Sequence, residues 1–217
     1  GKSASMRNFD AADVALVNVG KKPLPFRGQF ETLISSDADE IINFMKKTDK
    51  KVIVIDDAQY IMAFQYMRRM RETGWDKFND IQGDFFNVLD AAKELDENKI
   101  VFFLSHLETK DDGRQKIKTI GKMLDEKITI EGLFTVVLKT YVADGKYYFV
   151  TQNSGMDTVK SPIGMFPAVT IDNDLKYVAE KIRNYYYMDG AMADEEMAKA
   201  DEAVKGDADP TEKKRRT

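Results

Sequence analysis

The sequence predicts an α/β fold of three layers, with a mostly parallel sheet and an antiparallel hairpin toward the C-terminus. Three observations carry that expectation. Apolar runs at 14–19, 52–55 and 100–104 read as strands, and the β-branched run at 52–55 has the pattern of a strand buried on both faces of a parallel sheet. Helical stretches lie between them, as the crossovers of such a sheet require. Further on, 133–142 and 146–151 flank Asp144-Gly145, a dipeptide that turns a two-residue hairpin.

Taken in order, 3–9 reads as a short helix ended near Asp10, and 14–19 as the first strand. Residues 20–28, with Pro23 and Pro25, form a loop, and 30–34 a short strand. Ser36-Asp37 caps a helix over about 38–47 that carries Ile41, Ile42 and Met45. The strand at 52–55 precedes a helix over about 58–72 and a loop around Gly74. An amphipathic stretch spans 78–95, ahead of the strand at 100–104. Residues 110–113 are polar and expected to be mobile. A last long helix covers 173–187, with Leu175, Val178, Ile182 and Tyr185 spaced along one face. This organisation suggests a core over 1–188 and a charged C-terminal piece over 189–217. That piece is expected to be a peripheral helix to about 205 and then a disordered tail ending in Lys213-Lys214-Arg215-Arg216.

At 217 residues, 43% hydrophobic and 32% charged, the chain is long enough to bury a substantial core. The absence of cysteine excludes a disulfide framework and a thiolate zinc site, and suits a reducing compartment. One histidine, His106, excludes a His-rich metal site but not magnesium, which takes oxygen ligands. No run reaches the roughly 18 apolar residues of a membrane span. The first residues do not read as a secretory signal, so a non-membrane, cytoplasmic protein is expected. The net charge of -4 does not favour an all-over basic nucleic-acid binder, a question that local patches decide.

Two features point to chemistry. The chain opens on Gly1-Lys2-Ser3, the last three positions of the phosphate-binding loop G-x-x-x-x-G-K-[S/T]. Read so, the loop's first half and the strand ahead of it are missing. Lys2 would reach the β- and γ-phosphates, and Ser3 would hold magnesium through its hydroxyl. The plain alternative is a mobile chain start that happens to read Gly-Lys-Ser. The second feature is the strand at 52–55 running into Asp56-Asp57, at the end of a parallel strand where ligands collect. Asp56 is the candidate for holding magnesium and Asp57 for polarising an attacking water. Either could instead start the next helix as its N-cap.

His106 follows the next strand, with Ser105 beside it and Glu108 beyond. It is placed either to sense a γ-phosphate or to satisfy the structure alone. Lys160 sits in a polar loop, where it could neutralise a phosphate in its own subunit or the next, although loop lysines mostly face solvent. Tyr185, Tyr186 and Tyr187 are candidates for base stacking, or for the packed end of the last helix. Lys116, Lys118, Lys122 and Lys127, with Arg114, make a basic stretch diluted by Asp125 and Glu126.

These residues resemble those of a phage family of RecA-like P-loop ATPases, the single-strand annealing and recombination proteins. The resemblance rests on Gly1-Lys2-Ser3, on Val54-Ile55-Asp56-Asp57 and on Ser105-His106-Leu107-Glu108. Two longer stretches add to it: 118–125, and 149–153 continuing through 157–162 to Met165-Phe166. It covers roughly residues 1–187. It implies a RecA-like core, ATP and Mg2+, homo-oligomers on single-stranded DNA, and action in a host cytoplasm. Gly1, Lys2, Ser3 and Asp56 would then bind the nucleotide, with the metal on Ser3 and Asp56. The family's catalytic glutamate typically follows the strand after the phosphate-loop helix. Here that strand ends Asn18-Val19-Gly20, so the base lies between Asp57 and Glu31, with His106 and Lys160 as further catalytic candidates.

The function implied is ATP binding and hydrolysis in phage DNA recombination or single-strand annealing. Two alternatives stay open: a P-loop motor for DNA packaging, partition or remodelling, and a nucleotide-gated DNA-binding scaffold that does not hydrolyse. An intact chain is expected to be an ATPase. The backbone amides of the loop's first half normally cradle the phosphates and Lys2 cannot replace them, so activity of the chain beginning at Gly1 is left open.

Overall fold

In the computed structural model, which describes residues 1–121, 124 and 127–205, the chain is a three-layer α/β protein with a mostly parallel core sheet and an antiparallel C-terminal sheet. Strands β1 (Val14–Asn18), β2 (Glu31–Leu33), β3 (Val52–Asp56) and β4 (Ile100–Phe103) run parallel in the order β2-β1-β3-β4. The two central strands are the apolar runs of the sequence, and Val14–Val17 and Val52–Ile55 are buried throughout. Their register sets Asn18 opposite Asp56, so β1 and β3 finish level with each other.

Two compact units make up the chain. The first comprises Asp10–Glu108 and Ile117–Gly132; the second comprises Gly1–Phe9, Thr109–Lys116 and the chain from Leu133 on. In the first, helices α1 (Ala38–Lys47), α2 (Tyr60–Arg68) and α3 (Asp76–Ala91) accompany the parallel sheet, with α3 against both α1 and α2. The α1 boundaries follow the sequence reading. The Asp37 carboxylate accepts the Glu40 N–H at 3.1 Å, and Asp39 and Glu40 at the start oppose Lys46 and Lys47 at the end, complementing the helix dipole. Ile41 and Met45 of α1 and Ile81, Phe85 and Val88 of α3 are buried.

In the second unit, β7 (Lys139–Ala143), β8 (Lys146–Val150) and β9 (Thr170–Asp172) form an antiparallel sheet in that order. Asp144 and Gly145 both take positive φ, 50° and 75°, as the two-residue hairpin turn demands. Helices α4 (Leu175–Tyr185) and α5 (Asp194–Ala203) follow. They are tied by Asp201, which accepts from the Tyr177 hydroxyl at 2.7 Å and the Lys181 ammonium at 2.5 Å. Burial and the Asp201 carboxylate together push the Tyr177 phenol well above its ordinary range.

Several elements differ from expectation. The helix expected over 3–9 is a single 3-10 turn, Ser3–Met6. So few residues cannot sustain an α-helix unaided, and the Ser5 hydroxyl donates to the Lys2 carbonyl instead, at 2.6 Å. The helix expected over 58–72 is shorter, because Asp57 takes a left-handed φ of 59° and Arg69 leaves helical geometry. The helix expected from 78 begins at Asp76 and ends at Ala91, with a 3-10 turn over Ala92–Glu94. Residues 110–113 are a loop as expected, but they join an unexpected ribbon of β5 (Leu107–Thr109) and β6 (Gln115–Ile117). There the Lys110 N–H donates to the Arg114 carbonyl at 2.9 Å. The first hairpin strand begins at Lys139 rather than 133, and β9 was not expected. Tyr185 is anchored by its hydroxyl to the Ile163 carbonyl at 3.1 Å, whereas Tyr186 and Tyr187 are exposed. The tail over 206–217, with Lys213–Arg216, and Lys122, Asp125 and Glu126 lie outside the described residues. Among the described residues no helix is long and apolar enough to cross a membrane.

Candidate functional site

The C-terminal ends of β1, β3 and β4 gather the polar residues of the parallel sheet. This is the edge at which open α/β sheets bind ligands, because strand ends and the loops leaving them converge there. Asp56 closes β3 and is buried, and its carbonyl accepts the Val19 N–H at 3.4 Å. Asp57, only 2% exposed, is turned out of the strand direction by its positive φ. Its carboxylate does not cap α2: the N-cap is Gln59, which makes no capping hydrogen bond.

The Asp57 carboxylate is held from two sides. One oxygen forms an ion pair with the Lys22 ammonium, and the other lies 3.3 Å from His106 Nε2. The hydrogen bond to Asp57, with the charges of Asp57 and Asp56 behind it, raises the Lys22 pKa despite some loss of hydration. The Lys22 backbone is itself clamped by Asn18. The Asn18 amide donates to the Lys22 carbonyl at 2.7 Å and accepts the Lys22 N–H at 3.2 Å. Gly20 passes so close that a Cβ there would stand 3.0 Å from Lys22 Cε and 3.2 Å from Asp57 Oδ2. A side chain at position 20 would therefore press on the ion pair itself.

His106 completes the group. Its backbone N–H donates to Gln59 Oε1 at 3.2 Å, and its ring meets Tyr60 edge-on, with centroids 6.2 Å apart. A neutral imidazole that donates from Nε2 to Asp57 carries its lone pair on Nδ1. The Ser105 Oγ beside it is buried and has no hydrogen-bond partner. An orphan hydroxyl at a sheet's ligand-binding edge is a polar group that a ligand or water would satisfy.

Asp56, Asp57 and His106 come together, with Ser105. Glu31 does not join them: it starts the outer strand β2, exposed and in register with Ala15, three residues before the level of Asn18. Gly1, Lys2 and Ser3 belong to the second unit, where Gly1 lies over the Tyr147 ring and the buried amide of Asn173. That amide has no hydrogen-bond partner on either atom. Lys160, also in the second unit, exchanges two backbone hydrogen bonds with Val137, at 2.8 and 3.0 Å. Sequence reasoning missed Lys22, Asn18 and Gln59. The available signal was the position of Lys22 in the loop that leaves a parallel strand's C-terminal end.

Among the described residues no group of three or more His, Asp or Glu side chains is arranged to hold a metal ion. Magnesium does not need such a cage, since it takes one or two protein oxygens together with substrate phosphates. Compared with protein-family models, curated proteins and solved structures, the chain matches none. Its topology is that of a generic nucleotide-binding, P-loop-like α/β sheet.

Proposed function

We propose that the protein is an ATP-dependent enzyme of DNA recombination or single-strand annealing, working at the C-terminal edge of the parallel sheet. The observation that carries this reading is the convergence of Asp56, Asp57, Ser105, His106 and Lys22 on that edge. In it, Asp56 would hold magnesium, which when bound would spread the phosphate charge. Water attacks the γ-phosphorus in line, the bond to the bridging oxygen breaks, and the proton passes to the Asp57–His106 pair. Asp57 takes the base role rather than Glu31, because Glu31 sits on the outer strand away from the cluster. His106 links the state of the site to β5, which begins at the next residue. Lys160 offers its cation to a phosphate in a neighbouring subunit, and the assembly works on single-stranded DNA.

A second reading is favoured by one observation, the ion pair that already occupies Asp57. If Lys22 stays in place when nucleotide binds, the protein gates DNA binding without hydrolysis. The test is ATP binding and hydrolysis, with and without single-stranded DNA. The expected result is DNA-stimulated turnover that Asp57→Asn lowers about 100-fold, the scale of a lost general base, with nucleotide affinity little changed. Hydrolysis indifferent to DNA refutes the recombination reading in favour of a motor. Nucleotide binding with no turnover establishes the gated scaffold.

A further inference from the structure

The turn between α2 and α3 carries a surface that the site above does not use. Trp75, the only tryptophan of the chain, is 83% exposed at the tip of this turn. Gly74 beside it takes a φ of 101° with no heavy atom within 4 Å of where a Cβ would be, so the tip stands clear of its neighbours. Behind Trp75 the rings form a row. Trp75 and Phe78 are 5.8 Å apart between centroids, as are Phe78 and Tyr66. The Lys77 ammonium lies over this row, 5.3 Å from the Phe78 centroid and 5.8 Å from that of Tyr66. Met67 and Met70, 58% and 59% exposed, add apolar surface at the end of α2.

The charge of this segment runs against that of the chain. Residues 66–78 hold four cations, Arg68, Arg69, Arg71 and Lys77, against two acids, Glu72 and Asp76, in a protein of net charge -4. Arg69 is committed to Glu72 and Asp80. The Arg68 guanidinium bonds the neutral Ser36 hydroxyl, at 3.0 Å, and Arg71 is exposed. An exposed indole backed by aromatic rings and interleaved with guanidinium groups suits a flexible polyanion with flat apolar faces. Nucleobases stack on the ring while phosphates meet the cations. A duplex keeps its base faces covered, so the match is to a single strand.

We propose that the α2–α3 turn is a single-stranded nucleic-acid binding surface, with Trp75 stacking on a base and Arg71 and Arg68 contacting flanking phosphates. This rests on the DNA side of the function proposed above and locates it. It moves the contact away from the ribbon over 107–117 and the tyrosines at 185–187.

The test uses the chain as it stands, without nucleotide, and a labelled oligothymidine of about 15 residues, longer than the several nucleotides one such surface covers. Two signals are read together: the anisotropy of the oligonucleotide and the emission of Trp75, which reports its own stacking because no other tryptophan is present. Binding should quench that emission. Trp75→Ala should weaken binding about tenfold, the loss of one stacked base, and Trp75→Phe should restore most of it. Arg71→Gln should weaken binding severalfold and reduce the slope of log affinity against log salt by about 0.7, one phosphate contact on a single strand. Because both side chains are exposed, these variants should keep the circular dichroism of the parent. Binding that leaves the emission and the variants unaffected overturns the surface while leaving the DNA reading intact. No binding at all, here and again with ATP and magnesium added, overturns both. An emission that shifts with protein concentration alone, without DNA, assigns the face to a second copy of the chain and also overturns the proposal.

Discussion

Asp57 occupies a backbone region that L-residues mostly avoid. A φ of 59° costs a residue with a Cβ, although Asp and Asn tolerate it better than others. Such conformations persist where the surroundings over-determine them, and they cluster at functional sites. Here Lys22 and His106 bracket the carboxylate, and Gly20 leaves room for the Lys22–Asp57 pair. The arrangement couples Lys22 to Asp57 in a way a double-mutant cycle measures. Lys22→Ala leaves a buried carboxylate short of a partner and should cost about 1–3 kcal/mol. In an Asp57→Asn background the same change should cost much less, leaving a clear coupling energy between the two positions in urea unfolding. Additive costs would mean the pair does not hold the loop over 20–28 in place.

At the scale of elements, the α1 cap is a local device with a local cost. Asp37→Ala removes the acceptor for the Glu40 N–H and should destabilise the fold by about 1 kcal/mol, whereas Asp37→Asn should lose only a fraction of that. Denaturant midpoints at constant slope would show it. This helix was legible because its signals are contiguous: a capping Asp, acids first, lysines last, and Ile41 and Met45 one turn apart. Strands β1, β3 and β4 were legible for the same reason, as unbroken apolar runs. The ribbon over 107–117 and β9 were not, since three-residue strands with polar members carry too little periodicity to separate from loop. The site divides likewise. Asp56, Asp57 and His106 could be placed because each sits at the end of an apolar run. Lys22 could not: its bond to Asp57 joins a Gly- and Pro-rich loop to a strand end 35 positions later, and no local pattern records such a pairing.

For the molecule as a whole, acid response follows from a buried pair in the second unit. Burial works against the charge of Asp157. The Lys139 ammonium, the Ser154 hydroxyl and the Val159 N–H outweigh it and hold the carboxyl below its ordinary 3.8. A carboxyl more acidic folded than unfolded stabilises the fold above its unfolded pKa and loses that contribution as pH falls through the lower folded value. The loop over 152–161 should therefore keep its protection from neutral pH down to about pH 4 and lose it below. Hydrogen exchange resolved by peptide would show this as deprotection beginning there. Asp157→Asn should expose the loop already at pH 7 and flatten its acid dependence; unchanged protection in that variant would discard the account.

The two units are threaded through one another in sequence, with the chain passing between them after residues 9, 108, 116 and 132. Met6, fully buried, belongs to the second unit although it lies at the opposite end of the chain from α4. Arg7 and Asn8 fasten there too, to the Asn173 carbonyl at 2.6 Å and the Asp174 carboxylate at 2.8 Å. Scission within the polar tip at 110–113 would consequently yield two fragments that each hold strands or turns needed by both units. Neither piece could close a core alone, and the pair should cling together after cleavage and recombine on mixing, as a naturally split protein does.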